Sequence, residues 1–95
     1  MAAYVILDIE ITDPARFEDY KRASTLVVAE FGGKFIVRGG KHELLEGSWR
    51  PHRVVVIEFE SMEKARTWWT SASYKKAKAL RLPAARVNAV LVEGT

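Results

Sequence analysis

Apolar and polar residues alternate in four segments of this chain, and two longer segments repeat apolar residues at helical spacing. Tyr4 to Ile11 reads as the first strand. Val5, Leu7, Ile9 and Ile11 fall on one face, and Tyr4, Ile6, Asp8 and Glu10 fall on the other. Asp13-Pro14 opens a helix, with aspartate as N-cap and proline at the first helical position, where its missing N–H is no loss. Phe17, Tyr20, Ser24, Val27 and Phe31 give its buried stripe, and Gly32-Gly33 ends it. A second strand follows from Lys34, with Phe35 and Val37 on one face and Lys34, Ile36 and Arg38 on the other. Gly39-Gly40 reads as a bulge or kink, after which the strand continues towards Leu45. Arg53 to Phe59 is the third strand, with Val55, Ile57 and Phe59 towards the helices and Val54, Val56 and Glu58 away. Ser61 caps a second helix striped by Met62, Ala65, Trp68, Trp69 and Ala72. Ser73 caps a short one through Tyr74, Ala77 and Arg81, which Pro83 stops. Val87 to Glu93 is the last strand.

The order predicts an α+β fold of the ferredoxin-like βαββαβ type. Right-handed crossovers put the helices on one side of a four-stranded antiparallel sheet. The opposite face is then uncovered. It carries Ile6, Ile36, Val54, Val56 and Val90, with Asp8, Arg38 and Glu58 set among them. Apolar burial contributes about 25 cal/mol per Å², so several branched side chains left in water would forgo several kcal/mol. A patch of this kind marks an interface or a ligand groove. The expectation is a homodimer formed through the open sheet face.

The chain has 95 residues, the length of one domain spanning 1–95. It lacks cysteine, which excludes a disulfide framework and a thiolate metal site. No secretory leader and no apolar run of membrane-spanning length is visible, so the expected location is the cytoplasm, with no membrane partner. The net charge of +3 is partly concentrated in Lys75, Lys76, Lys78 and Arg81. This is a solvated helix face or an attraction for anions. No aromatic-basic RNA-binding strand motif is present, and nucleic acid is not expected as a partner.

Asp8 is the candidate acid/base. A carboxylate in an apolar cleft has a raised pKa unless a cation pairs with it, and Arg38 and Arg53 are the candidate cations. A structural Asp8–arginine pair is the alternative. Arg38 could present its planar guanidinium to a ligand carboxylate, with Gly39 and Gly40 letting the backbone approach closely or only allowing a bend. Glu58 could balance Arg38 or Lys34. Tyr74 and Arg81, on one face of the short helix, line a cleft mouth or fasten that helix to the sheet. Tyr20 and Trp68 read as core aromatics with a polar tip. His42 and His52 read as solvated loop residues. They make a weak metal signal, and no metal site or cofactor is expected.

The strand Tyr4 to Asp8, Tyr20, Arg38-Gly39-Gly40, Glu46-Gly47-x-Trp49, Arg53, Glu58-Phe59, Trp68 and Ser73-x-x-Lys76 with Tyr74 and Arg81 together resemble the bacterial "domain of unknown function 1330" family. The resemblance covers essentially the whole chain. It implies a dimeric α/β barrel, in a superfamily that includes cofactor-free monooxygenases, muconolactone-isomerase-like proteins, haem-dependent enzymes and ligand-sensing domains. The expectation is a dimer binding a small organic, anionic ligand through Arg38, Gly39, Arg53, Glu58, Tyr74 and Arg81, with cofactor-independent oxygenase or isomerase-type chemistry at Asp8. A non-enzymatic binding or sensing dimer, or a purely structural one, fits the same residues.

Overall fold

The computed structural model describes all 95 residues. The elements run β1 (Ala3–Ile11), α1 (Pro14–Glu30), β2 (Lys34–Arg38), β3 (Val54–Phe59), α2 (Met62–Thr70), α3 (Ala72–Arg81) and β4 (Ala85–Glu93). The sheet order is β2-β3-β1-β4 with every neighbouring pair antiparallel, and the helices pack on one face. This is the ferredoxin-like fold, with its second helical segment split in two. No helix is long and apolar enough to cross a membrane.

Local chemistry accounts for the boundaries. The Asp13 carboxylate accepts the Arg16 N–H at 3.2 Å and caps α1, and Pro14 occupies the first turn. Gly32, at φ 74°, lets the chain leave α1 in the left-handed region. Ser61 caps α2. Ser71, rather than Ser73, caps α3, its hydroxyl accepting the Tyr74 N–H at 3.0 Å. The same hydroxyl donates to Trp68 O at 2.7 Å, so one serine ends α2 and starts α3. Beyond that split α3 packs against α1.

The sheet alternation is regular in β1 and β3. Ala3, Val5, Leu7, Ile9, Val55, Ile57 and Phe59 are buried against the helices. The open face carries Tyr4, Ile6, Asp8, Val54, Val56 and Glu58, all half-buried. Val90 and Val92 on β4 extend it and are 56% and 44% exposed. The core is therefore one-sided. Its largest buried members are Trp68, Tyr74, Phe59, Leu7 and Val28. Trp68 stacks between Phe59 and Tyr74, with ring centroids at 5.2 and 4.3 Å.

Strand β2 corrects the sequence reading. The bulge lies between Phe35 and Val37, not at Gly39-Gly40, and the strand ends at Arg38 instead of running to Leu45. Phe35 still sits opposite Ile57 on the helix side. Beyond the bulge Val37 moves to the open face opposite Val56, and Arg38 moves to the helix side opposite Val55. One extra residue inverts the alternation downstream of it, which takes Arg38 off the open face. Residues 39–53 then cross back to β3 without regular structure.

Candidate functional site

The charges expected on one face occupy two. On the open face, the Asp8 side chain is 11% exposed. Its Oδ1 accepts the His52 backbone N–H at 2.8 Å, and its Oδ2 accepts the Trp49 indole N–H at 3.0 Å. The His52 ring stands 3.6 Å away. Burial pushes this carboxyl up, but those two donors and the imidazole outweigh burial, and its pKa lies below the ordinary aspartate value. The raised pKa is absent, and within the chain no arginine pairs with Asp8. Trp49 and His52 answer the carboxylate, because β1 carries Asp8 past the end of the 39–53 connection. Asp8 thus pins that connection to the sheet. His52 is a solvated loop residue, its side chain 56% exposed, whose backbone N–H joins this clasp, and His42 Nε2 lies 2.9 Å from Pro51 O nearby.

Ile6, Asp8, Trp49, Asn88, Ala89 and Val90 border a shallow open-face cleft of about 340 Å³. Glu58 is on the same face, directly opposite Lys34 and Tyr4 in register, and forms no ion pair with Lys34 or Arg38.

The second group lies on the helix side. Arg38 donates to Thr25 Oγ1 at 2.8 Å and to Lys21 O at 3.3 Å, both on α1. Its guanidinium covers the Phe35 ring at 3.9 Å. Arg53 enters from the start of β3, where its backbone pairs with Ile9, and its guanidinium stands 5.9 Å from the Phe17 ring centroid. Gly39 makes room for it. A Cβ there would come within 2.6 Å of Arg53 Cζ, and the φ of 73° is itself a glycine conformation. Burial and then the neighbouring Arg53 lower the Arg38 pKa, opposed by Tyr20. Neither arginine has a carboxylate within salt-bridge distance, and the buried Arg53 Nε has no hydrogen-bond partner.

Both arginines border a shallow, solvent-open cavity of about 390 Å³ completed by Glu18, Lys21, Arg22 and Thr25. Beneath it a narrow void of about 20 Å³ runs between Phe17, Tyr20, Ser24 and Phe35. Tyr20 forms the back wall. Its hydroxyl is 3.0 Å from that of Tyr74 on α3. Burial and then Tyr20 raise the Tyr74 pKa far above the ordinary phenol value, so Tyr74 keeps its proton. Arg81 is 4% exposed, lies 5.8 Å from the Tyr20 ring centroid, and has a buried Nε without a partner. Tyr74 and Arg81 are interior residues that join α3 to α1, and they do not line a cleft mouth.

Of the expected site residues, Arg38, Gly39 and Arg53 come together. Tyr74 and Arg81 stand behind them across Tyr20, and Asp8 and Glu58 lie on the opposite face. The sequence reading missed Lys21, Arg22 and Thr25 as neighbours of Arg38. Their signal was a polar run on α1 beside the apolar stripe, which any exposed helix face also shows.

The "Domain of unknown function (DUF1330)" family model matches residues 2–95. Among curated proteins nothing matches the chain. Solved structures share the fold. A protein of unknown function from Rhodopseudomonas palustris is 18% identical with a TM-score of 0.77, covering 99% of this chain and 82% of that one. A dimeric ferredoxin-like protein of unknown function from Thermobifida fusca is 17% identical with a TM-score of 0.67, covering 99% and 92%. SnoaB, a cofactor-independent oxygenase from Streptomyces nogalater, is 12% identical with a TM-score of 0.57, covering 99% and 92%.

Proposed function

The chain belongs to the DUF1330 family, and from that premise we propose that it works as a homodimer that binds a small organic molecule between α1 and the sheet. The observation that carries this reading is the Arg38–Arg53 pair. Two guanidiniums face one hollow, repel each other and form no ion pair, since the acid that also lines it, Glu18, is held by Lys21. Arg38 is exposed, but Arg53 is half-buried and its Nε has no hydrogen-bond partner, an arrangement that stability alone does not favour. The Tyr20–Tyr74 hydroxyl pair adds a protic group at the back of the same space.

Dimerisation rests on the open face. Val37, Val90 and Val92 leave 39%, 56% and 44% of their surface in water, beside Ile6 and Val56. A second copy would cover such a face, and the T. fusca neighbour of the same fold is a dimer. Asp8 acts there by holding the 39–53 connection against the sheet. An ionised carboxylate with its oxygens already bonded is a poor acid and a weak base.

Turnover of the ligand by cofactor-independent oxygenation is the second reading. The phenol pair favours it, since the Tyr20 hydroxyl, hydrogen-bonded to Tyr74, borders the void that Arg38 and Arg53 also line. SnoaB shows that this fold accommodates such chemistry.

Thermal-shift screening of a metabolite library, with native mass spectrometry, tests the proposal. The expected result is a dimer whose melting temperature rises with a ligand, and an Arg53→Met variant that dimerises but loses the rise. Ligands that act equally on Arg53→Met would remove the site from the proposal. Oxygen uptake with the bound compound then separates turnover from binding.

A further inference from the structure

The charges around the helix-side cavity define the ligand more narrowly. This step rests on the reading that the cavity binds a small molecule. Lys21 and Arg22 line it but are already engaged on α1. Lys21 Nζ meets Glu18 at 3.3 Å, and Arg22 meets Asp19 at 2.6 Å. That leaves Arg38 and Arg53 as the surplus: neither forms an ion pair, and the one acid lining the site, Glu18, is engaged by Lys21. The rim of the cavity has no apolar side chain. The apolar floor around Phe17 and Phe35 opens only the narrow void of about 20 Å³, too small for a ring.

We infer that the cavity takes a compact dianionic oxyanion, a short dicarboxylate or a phosphomonoester, clamped between the Arg38 and Arg53 guanidiniums. Planar guanidinium forks match carboxylate and phosphate oxygens in pairs. Thr25 already fixes the Arg38 fork at 2.8 Å, and Gly39 fixes the space for that of Arg53. The anion replaces the repulsion between the arginines with attraction and answers two charges that the fold leaves unanswered. Tyr74 keeps its proton and can donate to Tyr20 Oη, which frees the Tyr20 proton for the void that Arg38 and Arg53 also line.

The test uses the full chain and four probes at about 0.1 M ionic strength, where general screening is held constant. The probes are malonate, inorganic phosphate, acetate and neutral malonamide. Binding is followed by melting temperature and by amide chemical shifts of Thr25, Phe35, Arg38 and Gly39. The expected result is that malonate or phosphate raises the melting temperature and moves those amides. Acetate should bind at least about tenfold more weakly and malonamide not at all. Which dianion binds tighter assigns carboxylate or phosphate. Arg38→Lys keeps the charge but loses the fork, and should weaken the preferred dianion about tenfold. Arg53→Met should abolish binding. Arg86→Met, on an exposed arginine facing Glu10 at 3.9 Å, should change nothing. Amide spectra of each variant confirm its fold.

Malonamide binding as tightly as malonate, with shifts at the same amides, overturns the dianion and leaves the cavity reading standing. Dianion binding that Arg86→Met weakens as much as Arg53→Met overturns the clamp. If none of the probes moves the cavity amides, the inference fails. The library screen then decides separately whether the cavity binds anything.

Discussion

Asp8 and the Arg38–Arg53 pair sit on opposite faces of one sheet and meet opposite conditions. The carboxylate has a backbone N–H, an indole N–H and an imidazole around it. The arginines have each other, a threonine and aromatic rings, and no ion-pair partner, since the nearby Glu18 is held by Lys21. A charge answered by its own chain has a structural task and little left for a ligand. A charge the chain leaves unanswered carries a standing electrostatic cost that a ligand of opposite sign relieves. The contrast moves the functional question from the open face, where sequence polarity drew attention, to the helix side.

Substitutions that set one face against the other sharpen this contrast. The largest effect is expected at Val56, opposite Ile6 and Val37 on the open face. Val56→Asp should weaken the dimer by about a hundredfold or more, since it buries an unpaired charge in the interface. Light scattering across a concentration series checks it, and an unchanged oligomeric state would remove the open face as the contact.

Adjacent residues of β1 come next. Leu7→Ala should cost about 2–5 kcal/mol in urea unfolding at every protein concentration, because Leu7 is 2% exposed in the core. Ile6→Ala should cost about 1 kcal/mol at concentrations where the chain is monomeric and more where it is dimeric. Equal costs at all concentrations would erase the distinction between the faces.

Asp8→Asn should cost about 1–3 kcal/mol at neutral pH, because the amide keeps one acceptor oxygen and sets its NH2 against the other N–H donor, Trp49 or His52. The Asp8 pKa is lowered by folding. Its contribution is therefore complete above the unfolded-state value of about 3.9 and is lost as pH falls through the lower folded value. The stability gap between wild type and variant should be flat near neutral pH and shrink below about pH 4. A gap that instead opened on acidification would reverse the sign assigned to this site.

Arg53→Met should have the smallest effect on stability and of the opposite kind, unchanged or up to about 1 kcal/mol more stable without ligand. Loss of several kcal/mol would show that Arg53 is a structural residue after all.

Much of the fold was legible because strand and helix periods are local. Val5, Leu7 and Ile9 alternate with Ile6 and Asp8, and Asp13-Pro14 and Ser61 announce their helices. The family was legible too, through Arg38-Gly39-Gly40 and Glu46-Gly47-x-Trp49. The candidate site was legible only in part. Arg38, Gly39 and Arg53 were identified as residues, but Arg38 was placed on the wrong face. Nothing in Phe35-Ile36-Val37-Arg38 marks where an extra residue enters the ladder, because three of the four are apolar and suit either face. Asp8 was identified as a polar residue in an apolar setting, but its partners Trp49 and His52 lie in a segment whose path no period reveals.

The sequence by itself determined the order of elements, the one-sided core and the surplus of apolar residues on the open face, since these follow from side-chain periodicity. Tertiary structure decided which charges meet. The bulge before Val37 turned Arg38 towards Thr25, the 39–53 connection brought Trp49 and His52 to Asp8, and Ser71 turned α3 so that Tyr74 met Tyr20. Each depends on a local irregularity that joins residues far apart in the chain, and residue spacing carries no record of such a meeting.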